Sequence, residues 1–189
     1  MPTKHQQDFV ATLQHNTVAG TKNTKDTDMI EEELTALARQ LGRHLTAQGK
    51  TITTAESCTG GWIAQTITEI SGSSKWFERG FVTYSNQAKI DMLGVSPQTI
   101  IEYGAVSAET ASAMVSGALE HSGANCAIAV TGVAGPDGGT TDKPVGTVFI
   151  AWKNAGGEAR VAKKQFSGDR HQIRAQSVKI ALEGALVTD

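Results

Sequence analysis

A serine, a lysine and a glycine-rich loop are the parts of this chain whose residue types could do chemistry together. Ser57 stands in residues 51 to 61, TITTAESCTGG, where a β-branched run stops at Glu56-Ser57-Cys58 and meets Gly60-Gly61. Threonine and isoleucine favour extended backbone, and WIAQTI over 62 to 67 reads as helix, so Ser57 is expected at a strand-to-helix turn. A hydroxyl there would face the crevice beyond a sheet's carboxyl edge, where the free amides of the next helix turn can receive a phosphate or a developing oxyanion. The plainer use of such a serine is to cap the helix, and this stretch alone leaves both uses open.

The second group is Tyr84-Ser85-Asn86-Gln87-Ala88-Lys89, a strand end followed by a helix turn. A lysine beside a serine can act as general base once burial lowers its pKa from about 10.4 toward about 7 to 8. Most lysines are instead solvated, and the residues alone favour that reading. The third group, TGVAGPDGG over 131 to 139, has glycines spaced so that backbone amides could approach a phosphate or ribose. It lacks the Gly-Lys-Ser/Thr ending of a Walker loop and the dinucleotide fingerprint, so it is either a ligand loop or a long, tight turn.

Weaker candidates surround these. Cys58 is intrinsically a better nucleophile than Ser57, but no histidine lies near it in sequence to activate it. His44, His121 and His171 show neither metal nor triad spacing. Arg170 and Arg174, one helical turn apart, could bind an anion or form an exposed helix face.

The elements that must position these groups follow from periodicity and punctuation. Apolar residues at Ile30, Leu34, Leu37, Ala38, Leu41 and Leu45 follow helical spacing over 29 to 48, with Asp28 as expected cap and Gly49 as stop. A strand over 76 to 84 follows the helix beginning at Trp62. Ser85 is expected to cap a helix to Leu93, Ser96-Pro97 to start another ending near Gly104, and Ser107 to cap a third ending at Gly123. The apolar run 126 to 130 reads as a central strand leading into the glycine loop. Strands over 145 to 152 and 158 to 166 form a hairpin, and Asp169 opens a closing helix to about Leu186. Alternating helices and strands ended by a hairpin predict an α/β fold, a three-layer α/β/α sandwich on a mixed β-sheet.

Composition narrows the function classes. The chain's 189 residues, 39% of them hydrophobic, suit one domain over 29 to 189 behind a polar, flexible extension over 1 to 28. A formal charge of -2 supplies no basic stripe for nucleic acid. No run approaches the roughly 18 apolar residues of a membrane span, and the polar amino terminus lacks a signal-peptide core. Two cysteines without metal-ligand spacing suit a reducing, cytoplasmic setting.

TTAESCTGG, GSSKWFERGFVTYSNQAK, YGAVS, TGVAGPDGG, KPVGTV and FSGDR occur in that order, and together they resemble the CinA C-terminal domain family over about residues 29 to 186. The resemblance implies a bacterial enzyme that hydrolyses the carboxamide of nicotinamide mononucleotide to nicotinate mononucleotide and ammonia, in the pyridine nucleotide cycle. It implies Ser57 as nucleophile, Lys89 as base and Tyr84 as proton relay or orienter of Lys89. Glu56, Cys58, Thr59, Gly60, Asn86, Ser107, Thr131, Gly132, Ala134, Gly135, Gly138, Gly139 and Arg170 are expected around the substrate. No metal and no cofactor is implied; the partner is the small-molecule substrate, and a homo-oligomer is expected. The alternatives are a non-catalytic nucleotide-binding or regulatory domain, and amide hydrolysis through Cys58.

Overall fold

Five strands pair in the order β2-β1-β3-β4-β5 in the computed structural model, which describes residues 24 to 187. They are β1 (Ile52–Glu56), β2 (Phe77–Val82), β3 (Cys126–Gly132), β4 (Thr147–Asn154) and β5 (Arg160–Gln165). β1 runs parallel to β2 and β3, while β4 and β5 are antiparallel to their neighbours, so the sheet is mixed. From β1 the chain pairs outward to β2, then crosses back to β3 on the other side of β1. Such a reversal opens a crevice at the carboxyl ends of the central strands.

Six α-helices flank the sheet among the described residues: α1 (Thr24–Gln48), α2 (Trp62–Thr68), α3 (Asn86–Leu93), α4 (Pro97–Tyr103), α5 (Ala108–Ser122) and α6 (Arg170–Leu186). The two sheet faces carry different side chains because residues alternate along each strand. On one face Ile128, Val130, Val148, Ile150 and Trp152 pack against Leu41 of α1, Ile63 of α2 and Leu182 of α6. On the other, Ala55, Ala127, Ala129 and Ala151 leave a shallow surface on which Met114, Val115 and Ala118 of α5 lie. This is the expected three-layer sandwich.

Four helices start on the expected caps. Ser85, Ser96 and Ser107 accept from Ala88, Gln98 and Thr110 amides, and Asp169 forms a capping box with Gln172. The strands end within about two residues of the expected bounds, and one helix start differs. α1 begins at Thr24, so Asp28 lies inside the helix instead of capping it, and the extension expected over 1 to 28 otherwise lies outside the described residues. Its polar first turn carries no apolar repeat, and sequence periodicity therefore starts one turn late.

α3 meets α5 at a point with no spare room. A β-carbon on Gly117 would stand 1.9 Å from the Leu93 carbonyl oxygen. Gly117→Ala gains helix propensity worth about 1 kcal/mol, but it must push α3 away and lose the packing of Leu93. We expect a net loss of about 1–3 kcal/mol in urea unfolding, the usual scale of overpacking. Unchanged stability would mean that α3 is free to move.

Candidate active site

Ser57 leaves β1 with its amide still paired to the Val130 carbonyl at 2.9 Å, so the serine's backbone belongs to the sheet. The next residues turn sharply, with Gly60 donating to the Ser57 carbonyl at 3.0 Å, and α2 begins after Gly61. Gly61 offers no side chain to cap that helix. Glu56 does so instead: one carboxylate oxygen accepts from Thr59 Oγ1 at 2.7 Å and from the Gly61 and Ile63 amides at 3.0 Å, the other from Ala64 at 2.8 Å. Burial pushes the Glu56 carboxyl above its ordinary range, against these four donors, which pull it down.

Lys89, in the first turn of α3, points back under the strand end and is 1% exposed. Its Nζ lies 3.1 Å from Ser57 Oγ, 2.9 Å from the Thr83 carbonyl and 3.5 Å from that of Ser85. No carboxylate pairs with it among the described residues. Burial holds the amine below the ordinary lysine value, with the neighbouring Cys58 opposing. Burial also pushes the Cys58 thiol up to about 12. A thiol so raised is uncharged near neutral pH, so no thiolate opposes the desolvation of Lys89 there.

The glycine loop closes the opposite wall. Gly135, at φ +74, leaves its α-hydrogen facing Val145, where a β-carbon would fall 2.5 Å from that side chain. A cleft of about 290 Å³ results, lined by Ser57, Cys58, Tyr84, Asn86, Lys89, Thr131, Gly132, Ala134, Gly135, Gly138 and Arg170 of the expected set. Arg170 spans its mouth, donating to the Gly135 carbonyl at 2.7 Å and to the Tyr84 hydroxyl at 2.9 Å. A larger hollow of about 470 Å³ between α1 and α6 is bordered by Ile30, Leu34 and Ala175 and holds neither serine nor lysine of this site. Among the described residues no group of three His, Cys, Asp or Glu side chains is placed to hold a metal.

The CinA C-terminal domain matches residues 34–188. This chain belongs to that family. A nicotinamide-nucleotide amidohydrolase, PncC, of Escherichia coli strain K12 is 52% identical over 155 residues, covering 82% of this chain and 94% of the relative. The PncC of Pseudomonas putida is 52% identical over 155 residues, covering 82% and 96%. The crystal structure of competence/damage inducible protein CihA from Agrobacterium tumefaciens superposes with a TM-score of 0.80 at 48% identity, covering 82% of this chain and 96% of that one. Among the described residues of this CinA domain no helix is long and apolar enough to cross a membrane.

Within the CinA domain, five expected substrate contacts have other work. Glu56 and Thr59 are fully buried and bond to each other beneath the turn. Gly60 is exposed and spends its amide on Ser57. Ser107 is buried, accepting from Thr110 and donating to the Gly104 carbonyl, so it is a cap. Gly139 packs against the Val145 amide and stays outside the cleft. Tyr84 lines the cleft, yet its hydroxyl meets Arg170, and the atoms bonded to Lys89 are those of Ser57, Thr83 and Ser85. Arg174 donates to the Cys58 and Thr59 carbonyls at 3.2 and 2.7 Å. Ala105, Val106, Val133 and Asp137 also line the cleft. The first two stand in the YGAVS motif and the others inside the glycine loop, so the motifs themselves were the available signal.

The buried amine has a thermodynamic signature. Between its lowered value and the ordinary lysine value of 10.5 the unfolded chain binds more protons at this site than the folded one, so stability rises with pH across that interval. Below it both states are protonated and the full cost of burial applies. Lys89→Met removes the site, so the variant's stability advantage, read by urea unfolding, is expected to be largest at neutral pH and to shrink toward pH 10. A difference independent of pH would show that the amine is not held down.

Proposed function

We propose that this protein hydrolyses the carboxamide of nicotinamide mononucleotide, giving nicotinate mononucleotide and ammonia in the pyridine nucleotide cycle, through an acyl-enzyme on Ser57. The observation that carries the route is the buried Lys89 amine 3.1 Å from the Ser57 hydroxyl. The choice of substrate is supported by 52% identity with relatives named nicotinamide-nucleotide amidohydrolase, over nearly their full length.

In the neutral amine two N–H groups serve the Thr83 and Ser85 carbonyls, and the lone pair is left for the Ser57 hydroxyl. Lys89 takes that proton as Ser57 Oγ attacks the carboxamide carbon. The Cys58 amide, which follows the nucleophile and donates to no other described residue, receives the charge that develops on the amide oxygen. Lys89 returns the proton to the leaving nitrogen and ammonia departs. Water, deprotonated by Lys89, then attacks the ester carbon, and the proton passes from Lys89 to Ser57 Oγ as the ester bond breaks and the acid is freed. The loop from Thr131 to Gly138, with Asn86 and Arg170, receives the ribose phosphate at the cleft wall. Tyr84 contributes through Arg170 at the rim. The reading sets the protein in the cytoplasm as a homo-oligomer; both cysteines are free, as a reducing compartment allows.

A coupled ammonia assay with the mononucleotide tests this, and binding without ammonia release would favour a regulatory nucleotide-binding domain instead. Ser57→Ala is expected to lose at least about a thousandfold in kcat, whereas Cys58→Ala retains most activity because its thiol is protonated at working pH. The reverse pattern would make Cys58 the nucleophile. Lys89→Arg cannot deprotonate and should be as inactive as Lys89→Ala. In the wild type kcat/KM should rise with pH to an apparent pKa below that of an ordinary lysine. Substantial activity in Lys89→Arg would remove Lys89 as the base.

A further inference from the structure

Arg174 lies outside the cleft, yet it is bonded to the nucleophile turn at two points. Its guanidinium also lies over the Trp62 ring at 5.1 Å, so packing fixes its plane. The peptide units of the turn connect in series from there. Arg174 Nη2 donates to the Thr59 carbonyl at 2.7 Å; the amide of that same peptide, on Gly60, donates to the Ser57 carbonyl at 3.0 Å. The amide of the Ser57 peptide belongs to Cys58, which lines the cleft beside Ser57 and has no other described residue as acceptor. Arg174 Nε holds the remaining peptide of the turn through the Cys58 carbonyl at 3.2 Å.

We propose that Arg174 is a positioning residue for the acyl-transfer step, holding and polarising the turn so that the Cys58 amide is aimed at the substrate oxygen when that oxygen becomes negative. The inference rests on the amide-hydrolysis reading above. Two physical effects support it. Hydrogen bonds in series polarise one another, so a cation at one end strengthens the donor at the other. A donor fixed before reaction costs no reorganisation in the transition state, which is where such groups act. The turn needs this brace, because Gly60 and Gly61, at φ +62 and +95, would otherwise let its peptides rotate. Arg174 touches no substrate in this arrangement, and its loss should affect the chemical step rather than binding.

The experiment uses the full chain and compares Arg174→Ala and Arg174→Lys with wild type. In Arg174→Ala kcat for the mononucleotide is expected to fall about 10- to 100-fold, short of or reaching the 10²–10³ lost with a direct oxyanion donor, while KM stays within about threefold. Inhibition by 3-pyridineboronic acid, whose adduct with Ser57 Oγ is tetrahedral and anionic, should weaken in parallel with kcat. Arg174→Lys, or millimolar guanidinium added to Arg174→Ala, should recover part of both. The pH dependence of kcat/KM, set by Lys89, should keep its midpoint. If Arg174→Ala does not fold, Arg174→Lys decides on the same readouts. A raised KM with unchanged kcat overturns the proposal and makes Arg174 a substrate contact. A fall in kcat with undiminished boronate inhibition overturns it too. A wild type that releases no ammonia defeats the functional reading itself, and the inference with it; a fully active variant defeats the inference alone.

Discussion

An amine kept dry is the constraint on which the rest of the structure depends. Removing a lysine head from water costs several kcal/mol if it stays charged, and Lys89 has three polar atoms around it but no counter-ion among the described residues. The fold meets part of that cost by making the proton easier to lose, burial holding the amine below the ordinary lysine value. For that, α3 must lie close enough to the sheet to exclude water, and the alanine-lined face of β1, β3 and β4 together with the Leu93–Gly117 contact brings the helices down to that distance. Ser85, by capping α3, fixes the turn from which Lys89 reaches back. The packing of one layer thus lowers the proton affinity of one atom.

Around Ser57, a carboxyl group and a guanidinium act from opposite sides. Glu56 gathers the amides that open α2, and Arg174 gathers the carbonyls of the turn before it. A carboxylate at a helix start and a guanidinium on carbonyls both follow the direction of the peptide dipoles. Each is fixed by its own surroundings, Glu56 by burial and Arg174 by Trp62. The turn that carries Ser57 is therefore held from both sides by buried and half-buried side chains.

Most of the framework could be read from sequence because its signals are local. Serine and aspartate caps sit within three residues of the amides they satisfy, and the apolar stripe of α5 repeats at helical spacing, so Ser85, Ser96, Ser107 and Asp169 marked their helices correctly. The strand-turn-helix around Ser57 was legible for the same reason. What was not legible depends on contacts distant in sequence. Nothing near Lys89 distinguishes it from a solvated lysine; Ser57, 32 residues earlier, does. Arg174 meets its carbonyls across 115 and 116 residues. Glu56, Thr59 and Ser107 stood inside conspicuous motifs and invited a ligand role, but motif membership does not separate residues that face the cleft from those that hold its wall. α1 began earlier than expected because its first turn has no apolar repeat to announce it.

The β4–β5 hairpin has a different consequence. Its turn follows Asn154, which pairs with Cys126 at the start of β3, whereas the cleft lies beyond the other end of that strand. At about 3.3 Å per residue the length of β3 puts roughly 20 Å between them. Gly156 at the tip has open space around it, and no cleft residue comes from this segment. The molecule therefore offers a handle on its far side, where a fluorophore, a surface tether or an inserted peptide could be carried without entering the path that substrate and product take.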